Sequence, residues 1–374
     1  MFLAVAAIAV TVTALTGCSS SGTTASTSAT AAAGDKTVID LDISQTVGPN
    51  GETPTPLSAL TLTDGDVAKL KAGGYSADFL WHASSQFVTA VQKGATDEFG
   101  RLGISVGLSA VANMDAGTQA NQVQTALASK PSAILSLPVD PTSAAAAFQP
   151  AVDAGVKLVF LSNTPAGYKQ GVDYTSIVTD DLYQMGKKAA EQLGNSMGGT
   201  GTVGVIYYNA NYYVTNQRDA AFLNTMKTEF PNITIVSKQG FSDATKVDTI
   251  ASAMLTQNPD LGGMYVSYAQ PAAEGALSAL RSAGNTTTKL VTLDIDDPVI
   301  VDLAQGGNTV AVVADQAYAL GKGMADAAAY GILGKSAPAF AVADTVVVTK
   351  DTIAAGYKDS LDADVPDTVQ AALK

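Results

Sequence analysis

From about Ser76 onward, short and continuously apolar runs alternate with longer segments whose apolar residues recur at helical spacing. A run of that kind fits a strand buried on both faces, and the intervening helices supply the cover, so the pattern specifies parallel βα repeats. Strands are expected at 77–81, 104–108, 133–137, 157–161, 203–207, 233–236, 264–266, 290–293 and 310–313. Between them Phe87, Val91, Ala95 and Phe99 share one helical face, as do Leu182, Met185, Ala189 and Leu193, and both stripes read as core-facing. Asp297 reads as a helix cap followed by Pro298, and Gly284-Asn285 as a stop after Leu280. With 374 residues the chain exceeds one ordinary domain, and 47% hydrophobic against 15% charged residues suits two well-packed cores.

Ahead of the repeats, residues 3–15 form an apolar run too short to span a bilayer and the right size for a secretory signal. The run ends in Leu15-Thr16-Gly17-Cys18, which resembles the lipobox of bacterial lipoproteins, although Met1-Phe2 offers no Lys or Arg. The resemblance implies cleavage after residue 17 and lipidation of Cys18. Residues 18–34, rich in Ser, Thr and Ala, then read as a flexible tether, and 35–74 as an N-terminal extension with few periodic signals. The expected location is extracytoplasmic, at the cell membrane, held there only by the lipid. Cys18 is the only cysteine, so no disulfide within the chain is possible. A net charge of -13 argues against nucleic acid as a partner.

In open α/β sheets ligands bind beyond the carboxyl ends of the strands, which directs the search for a site. Gly199-Thr200-Gly201-Thr202-Val203-Gly204 matches a dinucleotide fingerprint as text, but it precedes a strand instead of following one and reads as a turn. The Asp294, Asp296, Asp297 group lacks the continuation of a calcium loop, and His82, the only histidine, has no cysteine to share a zinc. No metal or cofactor is expected, and no nucleophile, base and orienting group stand at a spacing that suggests an enzyme. Just past the strand ends, however, polar and aromatic residues gather. The stretch from Trp81 to Phe87, Ser162-Asn163, the four tyrosines and two asparagines of 207–213, Asp294 and Asp315 all lie there. Aromatic faces pack on the C–H side of a sugar while carboxylates, amides and Arg bond its hydroxyls, so this set suits a polyol. Core packing is an equal alternative for Trp81 and Phe87, and capping or solvation an alternative for the two aspartates.

Several stretches, in order, carry a family resemblance: Phe87-Val88 with Gly94-Ala95, Ala133 to Asp140, Arg218 with Phe222, Glu274 to Gly284, Val291-Thr292-Leu293-Asp294, and Ala314-Asp315-Gln316 ahead of Gly321. From about Tyr75 to Lys350 the chain resembles the type I periplasmic binding proteins of sugar ABC importers. That resemblance implies an α/β fold of two doubly wound parallel-sheet lobes joined by a three-strand hinge. Lobe 1 would comprise 75–179 plus 316–343, and lobe 2 would comprise 180–315 plus 344–374. By position, Phe87 is implied as a stacking residue, Arg218 as a cationic donor, Asp294 as a carboxylate acceptor, Asp315 as a hinge-side contact and Phe241 as a second aromatic wall. Leu137, Ser162-Asn163 and Tyr268-Ala269-Gln270 depart from the family's usual polar residues, so the ligand is not expected to be held as ribose is. Trp81, His82, Ser84, Asn163, Tyr268 and Gln270 complete the expected contact set.

The implied function is capture of a monosaccharide or sugar alcohol by a monomer that serves an ABC permease and ATPase. A lipid-anchored receptor presenting its ligand to a membrane sensor, or a binder of a nucleoside or signalling molecule, is the alternative. A sugar-responsive repressor of the same fold would instead carry a basic helix-turn-helix at the N-terminus.

Overall fold

The computed structural model describes residues 36–374. The apolar leader, Cys18 and the tether lie outside the described residues. Along the chain come β1 (Thr55–Pro56), α1 (Asp64–Gly73), β2 (Ser76–Trp81), α2 (Gln86–Leu102), β3 (Ser105–Val111), α3 (Ala116–Ala128), β4 (Ala133–Ser136), α4 (Pro141–Asp153), β5 (Lys157–Leu161) and β6 (Ser176–Asp180). Next are α5 (Leu182–Ser196), β7 (Gly201–Tyr208), α6 (Tyr213–Glu229), β8 (Ile233–Phe241), α7 (Val247–Gln257), β9 (Gly263–Val266), α8 (Glu274–Ser282), β10 (Lys289–Leu293), α9 (Asp297–Ala304) and β11 (Thr309–Ala314). The chain closes with α10 (Ala317–Ile332), β12 (Phe340–Ala343), β13 (Val346–Val348), α11 (Ile353–Leu361) and α12 (Asp367–Ala372).

Two sheets result, one ordered β1-β12-β6-β5-β4-β2-β3 and the other β13-β11-β10-β9-β7-β8. Every pairing is parallel except β11 with β13. Helices cover both faces of each sheet, as parallel strands require. On the first sheet α2 and α10 cover one face and α3 and α4 the other; on the second, α5 and α6 lie opposite α7 and α9. The chain passes between the sheets three times, after β6, after β11 and after β12, and these passages lie side by side. The Asp181 N–H donates to the Ala343 carbonyl at 2.9 Å, and the Gln316 N–H to Asp180 Oδ1 at 2.9 Å.

All nine expected strands are present, most within one or two residues of the expected bounds, although β8 runs on to Phe241 and β3 to Val111. Two pieces of punctuation divide. The stop after α8 stands where expected, with Gly284 in left-handed backbone. The α9 cap is displaced by one residue: Asp296 holds the cap position without a side-chain cap bond, while Asp297 opens the helix and accepts from the Tyr357 hydroxyl at 2.6 Å. A strong partner elsewhere thus takes the carboxylate that the local pattern assigns to capping.

Candidate functional site

The carboxyl ends of the two sheets face each other across a cleft, and Arg218 stands in it. It sits in α6, whose first turn follows β7, and its side chain is 5% exposed. Its Nη1 lies 2.9 Å from Asp294 Oδ1 and 3.8 Å from Asp315 Oδ1, and its Nη2 reaches the Ser267 carbonyl at 3.5 Å. Asp294 follows β10 and Asp315 follows β11, so the strand ends aim both carboxylates at one cation. Asp294 has a φ of 69°, a left-handed backbone that few residues other than glycine adopt and that aspartate tolerates better than most. Ser162, at the end of β5, has a φ of 55° and shares a 2.8 Å hydroxyl contact with Thr179. Strand-end strain of this kind concentrates at functional sites.

Two further buried aspartates back this centre. Asp180 faces Asp315 from the first crossover, and Asp219 accepts from the Tyr265 hydroxyl at 2.6 Å and from Ser267 at 2.7 Å. Burial raises all four carboxyls, with Asp180, Asp219 and Asp315 pushed to about 7 and Asp294 well above its ordinary range despite Arg218. Burial acts oppositely on His82, lowering it to about 4, so its imidazole is neutral at pH 7. The His82 ring stands 6.3 Å from that of Tyr212. His82 Nδ1, the Tyr212 hydroxyl, Asn216 Oδ1 and Arg218 Nε are buried without a partner. Polar atoms in that condition cost free energy unless something bonds them, which marks the cleft as built for a polar occupant.

Of the expected contacts, the structure brings Arg218, Asp294 and Asp315 together directly. Phe241 and Tyr268 pack at 5.5 Å between ring centroids, and each meets Tyr208, so the ends of β7, β8 and β9 raise one aromatic wall. Asn163 faces them from the other lobe: its Oδ1 accepts the Val214 N–H at 3.2 Å, satisfying one of the donors that the first turn of α6 leaves open. Phe87 sits half-buried in the first turn of α2. Ser84 and Gln270 are exposed and line a cavity of about 430 Å3 with α2 and with Tyr357, Leu361 and Pro366 near the C-terminus. Trp81 lies elsewhere. It is fully buried, stacked on Phe79 at 5.7 Å, and its indole N–H donates to Gln92, so it serves the core of its lobe. Asp180, Asp219 and Tyr212 stand here too, although none of them is among the expected contacts. The available signals were Asp180 at a crossover, Asp219 beside Arg218, and Tyr212 within the tyrosine cluster.

A cleft between two parallel α/β sheets, with fixed donors and acceptors at the strand ends of both, defines a two-lobed solute-binding protein. The chain belongs to the periplasmic binding proteins, for residues 79–336 match the periplasmic binding protein domain, and the fold is type I. No curated protein matches the sequence. Among solved structures, the chain is similar to an ABC transporter solute-binding protein from Agrobacterium vitis with α-D-tagatopyranose, at 24% identity and a TM-score of 0.69, over 75% of this chain and 96% of that one. A Mycobacterium smegmatis solute-binding protein with glycerol gives 26% and 0.67, over 76% and 96%. An Actinobacillus succinogenes protein with D-allose gives 22% and 0.66, over 75% and 98%.

Proposed function

We propose that this protein is the extracytoplasmic solute-binding component of an ABC importer, anchored through a lipid on Cys18, and that it captures a monosaccharide or sugar alcohol for a permease and ATPase. The observation that carries the reading is the Arg218, Asp294 and Asp315 cluster in the cleft, with unpartnered polar atoms around it. A hydroxyl both donates and accepts, so a polyol satisfies a carboxylate and a guanidinium at once, and the Tyr208, Phe241, Tyr268 wall offers aromatic faces for its C–H side. The similar proteins bound to tagatose, allose and glycerol point to the same ligand class. Capture proceeds by closure. A ligand held first by one lobe favours the closed state only if it also bonds the second, and closure removes the water that competes for its hydroxyls.

A thermal-shift screen of the exported protein against monosaccharides, alditols, nucleosides and small organic acids tests this. A sugar or alditol present at a hundredfold excess over its Kd stabilises the native state by about 2.7 kcal/mol and raises Tm accordingly. A shift confined to nucleosides or acids would retire the ligand class and leave the fold assignment standing.

A further inference from the structure

Residues 37–56 belong to neither βα repeat, yet they touch both lobes and the hinge between them. On the second lobe, Ile39 is fully buried in the core beneath α5 and α6, and Asp40 pairs with Lys238 of β8 at 2.6 Å. Asn224 of α6 donates to the carbonyls of Leu41 and Ile43, at 2.9 and 3.2 Å. The segment then reaches the first crossover. The Thr46 hydroxyl donates to Asp181 Oδ1 at 2.6 Å and accepts the Tyr183 N–H at 2.8 Å, while the Tyr213 hydroxyl donates to the Val47 carbonyl. A compact turn follows, closed by Gly48 N–H to the Glu52 carbonyl at 2.9 Å and Gly51 N–H to the Gly48 carbonyl at 2.8 Å. On the first lobe, Glu52 accepts from the Tyr174 hydroxyl at 2.8 Å, and β1 pairs with β12.

We propose that this segment is an interlobe strap whose limited length restrains how far the lobes open, with Thr46 its anchor at the hinge and Glu52 its anchor on the first lobe. The anchors on either side of the turn are Val47 and Glu52, so even with the turn unwound the chain between them spans at most about 18 Å. The strap closes a loop between two bodies that the hinge alone would leave free to swing. Excluding wide-open arrangements raises the fraction of molecules near the binding-competent one, and apparent affinity scales with that fraction. The strap also roofs one side of the cleft, where Leu41, Pro49 and Asn50 face Asn163 and Asn211 across a cavity of about 510 Å3.

The test lengthens the strap and leaves every anchor in place. Eight Gly/Ser residues inserted between Gly48 and Pro49, ahead of Asn50, whose amide also approaches the Tyr174 hydroxyl at 3.5 Å, slacken it, and small-angle scattering without any sugar compares the variant with the parent protein. The strap predicts a larger radius of gyration and a broader distance distribution for the variant at an unchanged Tm. A second variant, Glu52→Ala, releases the first-lobe anchor and should expand the protein in the same direction, by less. Scattering curves that superimpose on the parent's for both variants would overturn the strap. Because no ligand enters the measurement, that result would leave the proposed sugar class untouched.

Discussion

Arg218→Ala will lose ligand affinity by about a hundredfold to a thousandfold, roughly 3–4 kcal/mol, in a calorimetric titration with whichever sugar or alditol the screen identifies. The side chain is buried in the cleft and holds two carboxylates, so its removal deletes charge-assisted donors to the ligand and also leaves Asp294 and Asp315 facing each other. Their raised pKa values let those carboxyls take up protons, so the fold itself should survive the change. Arg218→Lys keeps the charge without the planar fork and should fall between the two, because an ammonium cannot bond two partners in one plane. Unchanged affinity in the alanine variant, with Tm preserved, would remove Arg218 from the binding site.

Gly186→Val should cost about 3 kcal/mol or more and lower Tm by roughly 4 °C or more. Gly186 lies where α5 crosses α6, and a Cβ there would stand 1.9 Å from the Arg218 carbonyl oxygen and 2.8 Å from the Phe222 nitrogen. Both neighbours are backbone, so no rotamer change relieves the contact and α6 itself must move. The same helix carries Arg218, and binding should weaken along with stability. Gly100→Ala provides the contrast: nothing lies within 4 Å of its added Cβ, and alanine in a helix interior should be neutral or stabilising by up to about 1 kcal/mol. Equal melting temperatures for Gly186→Val and the parent would show that the α5–α6 crossing is looser than these distances imply.

The repeat was legible because strands such as β4 and β9 are buried at every position and therefore apolar at nearly every position. β6 was not, for its sequence Ser-Ile-Val-Thr-Asp is equally buried but mixes polar residues that find specific partners: Ser176 bonds the Pro338 carbonyl, Thr179 meets Ser162, and Asp180 accepts from Gln316. A buried polar strand satisfied by distant groups leaves no periodic signal. The strap was opaque for a related reason. Its anchors are single side chains such as Ile39, Thr46 and Glu52, each meeting residues more than a hundred positions away, and local spacing cannot reveal them.

Site residues divided along the same line. Those named by their place after a strand, Asp294 and Asp315, came together because strand ends converge on one edge of a parallel sheet. Trp81 also closes its strand, yet its side chain alternates inward, where Phe79 and Gln92 receive it. Position along the chain located the edge; which face a side chain takes there depends on pleat and packing.

The most direct measurement is a crystal structure of the protein with the sugar or alditol that gives the largest thermal shift. Ligand hydroxyls are expected within about 3.2 Å of Arg218 and of Asp294 or Asp315, with Asn163 or His82 contributing from the opposite lobe. A ligand held by one lobe alone, or seated in the cavity beside Ser84 without reaching Arg218, would overturn the proposed site.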